Sequence, residues 1–116
     1  MTFHDTLIDL IHHILSEGDE YLSMIDKRNA YDKILRNYHQ VNAAGEVVYR
    51  RKCAKQYYRF SKEAWNSESS KNWYYEHLIP VKLIKNELRD LIHDNAVSKE
   101  NIKRILDQNE MVVLTR

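Results

Sequence analysis

The chain has 116 residues, a formal net charge of +1, and 43% hydrophobic and 30% charged residues. That suits one globular domain with a single core and excludes a disordered segment. Two glycines and one proline leave room only for short loops and exclude a turn-rich all-β fold. The near-neutral balance supplies no whole-molecule attraction for nucleic acid, so any electrostatic function must come from local clustering. The one cysteine, Cys53, excludes an internal disulfide and a cysteine-based zinc centre.

The chain opens on Met1-Thr2-Phe3-His4-Asp5, with no basic region and apolar run of the signal-peptide type. The spacing predicts a first helix over 3–16, capped by Thr2 with Asp5 in the capping-box position. Phe3, Leu7, Leu10, Ile11 and Ile14 form its buried stripe, and Gly18 ends it in a left-handed conformation. On its polar side Asp9 and His13 are four residues apart, the spacing of a solvated face and also of two metal ligands. A second helical region covers 20–42, with a break near Asp26 to Asn29, a core face of Tyr31, Ile34, Tyr38 and Val41, and a stop at Ala43-Ala44-Gly45.

A third helix is expected over 46–64. Tyr49, Cys53, Tyr57, Phe60 and Ala64 follow one stripe, which makes Cys53 a small core residue. Arg51, Lys55, Arg59 and Lys62 follow the opposite one. Between Val47 and Lys62 lie six Lys or Arg residues, Arg50 and Lys52 flanking the stripe, and no acid. Such a stripe attracts phosphates by counterion release, and Tyr58, beside it, is the aromatic expected to be exposed for stacking on an unpaired base. An acidic protein surface would meet the same stripe equally well.

Asn66 to Asn72 has no apolar residue and reads as the longest loop. Trp73 to Ile79 reads as a strand, and Pro80 as the first residue of a helix. That helix has a core face of Val81, Ile84, Leu88 and Leu91, with Ile92 beside it, and runs to about His93. Ser98 caps a last helix whose Ile102, Ile105 and Leu106 point inward. Met111 to Thr115 reads as a short strand pairing with 73–79. The chain stops at Thr115-Arg116, directly after it, where domains seldom end, so a further C-terminal element is expected. The sum is an α+β, predominantly α-helical single domain over 1–116, with about five helices and one small two-stranded antiparallel element. No apolar run approaches the about 20 residues that span a bilayer, and the expectation is a soluble, cytoplasmic protein.

Glu76-His77-Leu78-Ile79-Pro80 resembles the first signature of the HNH (ββα-metal) endonucleases: an acid or His, then His, two apolar residues and Pro. The resemblance covers five residues. It implies a metal-dependent cut of a phosphodiester bond, with His77 as general base and Glu76 as ligand to a divalent cation such as Mg²⁺ or Mn²⁺. The family continues into a second strand, an Asn and a helix with a further His; here a helix follows Pro80 at once. Asn86, Asn101 and His93 are the residues that could fill those roles, and His93 lies roughly 20 Å along the helix from Pro80. Strand alternation alone would put Glu76 and His77 on opposite faces. Two function classes follow. One is a nucleic-acid-interacting protein, an incomplete HNH-like nuclease among its forms. The other is a non-enzymatic interaction module, an inhibitor, adaptor or accessory subunit of the kind phages and mobile elements encode; a helical homodimer is a third, purely structural reading.

Overall fold

The first helix begins where its capping chemistry says it should. In the computed structural model, which describes residues 2–18, 22–49, 51–108 and 111–115, Thr2 accepts from the Asp5 amide and Asp5 reaches back to the Thr2 amide, a complete capping box for α1 (Phe3–Ser16). The buried face of α1 is Leu7, Ile8, Ile11 and Leu15. This corrects the expected stripe. The helix turns Ile8 inward as it packs on its partners, leaving Phe3 40% and Leu10 47% exposed. Glu17, extended at φ −70°, ψ 142°, closes the helix, and Gly18 is not left-handed. The left-handed glycine is Gly45, at φ +87°, in the turn after the next helix. A Cβ there would come within 3.1 Å of the Phe3 ring, so both the backbone and the contact demand glycine.

Ser23 caps α2 (Met24–Gln40), which runs unbroken through Asp26 to Asn29. Its inner face is Lys27, Tyr31, Leu35 and Tyr38. Lys27 is only 2% exposed; its Nζ donates to the Glu17 carbonyl at 2.5 Å, a cation set on the unsatisfied carbonyl end of α1. Pro80 precedes α4 (Val81–His93) as its cap, one residue earlier than expected, and Ser98 caps α5 (Lys99–Asp107) through the Asn101 amide. Ile84, Leu88, Leu91, Ile102, Ile105 and Leu106 join the faces of α1 and α2 in one buried cluster. Among the described residues, no helix is long and apolar enough to cross a membrane.

The expected helix over 46–64 does not form. Val47 bridges back to Val41 in antiparallel fashion. A 3₁₀ turn covers Lys52–Gln56, Arg59–Phe60 form β1, and only Lys62–Asn66 are α-helical, as α3. The physical reason is content. Val47-Val48-Tyr49 and Tyr57-Tyr58-Arg59-Phe60 are β-branched and aromatic, and a sheet edge was available to pair with the second group. A second 3₁₀ turn, Ser70–Asn72, leads into β2 (Trp73–His77). The expected β2 pairing with β3 (Met111–Thr115) is antiparallel, Trp73 opposite Thr115 through to His77 opposite Met111. β1 adds itself in parallel to the other edge of β3, giving a three-stranded mixed sheet in the order β1-β3-β2.

Ala54, Ala64, Trp73 and Val113 form a second, smaller core, with Tyr58, Phe60 and Tyr75 packed against it. Cys53, expected as a core residue, is half-buried. Two cores side by side explain the shape. The extents are 51 × 28 × 20 Å and the radius of gyration is 15.7 Å, against about 13 Å for a chain of this length packed round one centre.

Candidate functional site

The register of the sheet decides where Glu76 and His77 point. Arg59, Val112 and Glu76 lie in one cross-strand row and share the outer face; Phe60, Val113 and Tyr75 form the next row, on the inner face, and His77 shares it. Glu76 is exposed and His77 is half-buried. The pair therefore diverges. Among the described residues there is no group of three His, Cys, Asp or Glu side chains able to hold a metal. The residues that could complete an HNH-like site lie elsewhere. His93 is exposed in the last turn of α4, Asn86 accepts from Arg28 at 3.1 Å, and Asn101 donates to the Ala96 carbonyl at 2.8 Å. Asp9 pairs with Lys99 at 2.9 Å and His13 faces Glu17 at 3.9 Å, so those two do not converge on a metal either.

His77 turns inward onto a seam that no local pattern announces. Its ring meets His39, in the last turn of α2, edge-on at 5.4 Å between centroids. His39 contacts Tyr38 at 5.5 Å, and Tyr38 contacts His4 of α1 at 4.4 Å. The His39 Nε2 donates to the Leu106 carbonyl at 3.2 Å and the His4 Nε2 to the Val41 carbonyl at 2.8 Å. A carbonyl can only accept, so each neutral ring carries its proton on Nε2 and a lone pair on Nδ1. The His39 Nδ1 is buried without a hydrogen-bond partner. Burial holds the His39 pKa below the usual histidine range, against the pull of the Leu106 carbonyl. Burial does the same at His77, against the nearby Glu76.

Tyrosines stitch the seam. The Tyr38 hydroxyl donates to Asp107 at 2.6 Å, and the Tyr58 hydroxyl to the His39 carbonyl at 2.6 Å. Both phenols are pushed up in pKa, by burial first and then by Asp107 for Tyr38 and by Tyr75 for Tyr58. Burial alone would raise Asp107, but its bonds from Lys103 and Tyr38 outweigh this and hold it low. A cavity of about 630 Å³ opens between the end of α2 and the 56–59 segment, with His4, Tyr38, Tyr57, Tyr58, Arg59 and Asp107 in its lining.

Because 46–64 is not one helix, its basic residues do not form a helical stripe. Arg51 is exposed before the 3₁₀ turn, Arg59 is exposed on β1, and Lys62 is exposed at the start of α3. Lys55 donates to the Trp65 carbonyl at 2.6 Å and stands 4.6 Å above the Trp65 ring. Arg50 and the side chain of Lys52 lie outside the described residues. The tyrosines exchange roles relative to the expectation. Tyr58 is half-buried in the seam, and Tyr57, expected in the core, is 50% exposed, as is Trp65 at 51%. The reversal follows from the missing helix, since a turn and a strand alternate sides where a helix would not. His4 and His39, 35 positions apart in the chain, carried no sequence signal of their own. Comparison with family models, with curated proteins and with solved structures finds no match for this chain.

Proposed function

We propose that the chain is a nucleic-acid-interacting protein that holds single strands along residues 51–65 without cutting them. The observation that carries this reading is the exposure of cations and rings along one segment of the chain. Arg51, Arg59 and Lys62 are exposed in a stretch from Val47 to Lys62 that has no acid, beside two half-exposed aromatics, Tyr57 and the Lys55-capped Trp65. Cations that track a backbone and flat rings that accept bases are the two parts of sequence-tolerant single-strand binding. The divergence of Glu76 and His77 speaks for binding over hydrolysis. A nuclease centre would need further metal ligands from outside the described residues. The single, half-buried Cys53 agrees with a cytoplasmic setting.

Fluorescence anisotropy with labelled single strands at several salt concentrations tests this. Exchange of Arg51 and Arg59 for Glu removes at least two phosphate contacts and should flatten the log–log salt slope by about 1.4. Trp65→Ala should weaken binding by about 1–3 kcal/mol. Strand cleavage with Mg²⁺ or Mn²⁺ that His77→Ala abolishes would restore the nuclease reading. No binding to any strand, with salt-sensitive capture of an acidic protein, would assign the same surface to a protein partner.

A further inference from the structure

The cavity at the seam and the basic segment share residues. Tyr57, Tyr58 and Arg59 belong to both, so a strand laid along 51–65 passes over the cavity mouth. The cavity volume, about 630 Å³, lies in the range of small-molecule sites. Its lining residues include the aromatic Tyr38, Tyr57 and Tyr58 and the imidazole-bearing His4, with Arg59 the cation and Asp107 the carboxylate among them. Flat walls suit a flat ring. Arg59, exposed on β1 beside the cavity residues Tyr57 and Tyr58, suits a phosphate attached to that ring, and the Asp107 carboxylate, which accepts from Tyr38 and Lys103, has further lone pairs for an amino group. A nucleobase still joined to its sugar-phosphate has all three properties.

We infer that this cavity takes one unstacked base from the bound strand, while Arg59 meets the adjoining phosphate. The inference rests on the single-strand reading above and adds a specific binding position to it. The strand pays for unstacking one base, which is least costly where the base is already unpaired. Ring contact inside the cavity returns that energy.

The test uses two short strands, one of abasic sugar-phosphate units only and one carrying a single adenine among abasic units, with wild-type protein and Ala43→Trp. Ala43 is exposed and lines the cavity, so an indole there plugs the mouth without entering either core. Wild type should bind the one-base strand about tenfold more tightly than the abasic strand. Ala43→Trp should erase that preference and leave abasic-strand affinity unchanged. A preference that survives in Ala43→Trp would put the base on Trp65 and overturn the inference. Equal affinity of wild type for both strands would overturn it too, while leaving strand binding intact. Adenosine monophosphate binding as tightly as the one-base strand would overturn it by giving the cavity to free nucleotides. Absence of binding to any natural single strand would remove the underlying reading, a result separate from the others.

Discussion

The helical bundle and the sheet lobe are built on different terms. The bundle buries thirteen residues in one cluster drawn from α1, α2, α4 and α5. Among the described residues the lobe's own cluster has four members, Ala54, Ala64, Trp73 and Val113, closed by a chain of rings: Phe60 edge-on to Trp73 at 4.9 Å, Tyr58 edge-on to Tyr75 at 5.6 Å, and Tyr49 tilted against Tyr75 at 4.3 Å. Aliphatic packing of that extent supports a fold by itself, whereas a small aromatic core needs its neighbour. The lobe carries the exposed cations and rings, and the bundle supplies the platform that holds them. The seam between them, where His39 meets His77 and Tyr58 reaches the His39 carbonyl, is where the two sets of terms meet.

Two core truncations would break this comparison most sharply. Trp73→Ala removes the largest ring of the lobe and its Nε1 bond to the Ala64 carbonyl, 3.2 Å. It should cost about 3–5 kcal/mol, and amide exchange should quicken in β2 and β3 while α4 and α5 stay protected. Leu88→Ala, at a fully buried position, should cost about 2–5 kcal/mol and quicken exchange in both regions, because the lobe leans on the bundle. Equal loss of protection everywhere in Trp73→Ala would mean one cooperative unit and erase the distinction. Next in size is Lys27→Ala. It leaves the Glu17 carbonyl without its ammonium donor and should lower stability by about 1–3 kcal/mol in urea denaturation, with exchange changed in α1 and α2 and not in the sheet.

The bundle was legible in the sequence because its signals are local. Ser98 capping α5, the 84–88–91 face of α4 and the Thr2–Asp5 box are all set by steps of three or four residues. The rotation of the α1 stripe past Phe3 and Leu10 was not, since which side of a mixed apolar surface turns inward depends on the helices it meets. The lobe was legible only in its β2–β3 pair. Residues 46–64 carry a 3.6-residue pattern that fits a helix, and only the competition from the β3 edge, about 50 residues away, selects a turn and a strand instead. The same distance hid the site. Strand alternation foretold the divergence of Glu76 and His77, but the contacts of His4 with Val41, of His39 with Leu106 and of Tyr38 with Asp107 join residues 37, 67 and 69 positions apart, beyond any spacing rule.

The smallest effect concerns the seam alone, and it is electrostatic. His39 and His77 both have pKa values below the reference 6.5. In the folded protein they therefore bind fewer protons than in the unfolded chain, and stability rises with pH across that window. The contribution is complete above about pH 6.5 and is lost as pH falls through the depressed folded values. The local structure gives the reason. A proton on His39 Nδ1 would create a buried N–H with no acceptor, beside His77, with His4 adding to the repulsion. Arg36 opposes a charge on His77. Asp107 and the Leu106 carbonyl favour a charged His39, and Glu76 a charged His77, without overcoming burial. Urea midpoints of wild type and His77→Gln at about pH 7.5 and about pH 5.5 measure the difference. Wild type should lose more stability on acidification than His77→Gln, and exchange should quicken first at the junction of α2 with β2. Equal losses in the two proteins would free His77 of any part in it and leave the acid sensitivity to His39 or to carboxylates of the bundle, such as Asp32 with its Lys85 and Arg36 partners.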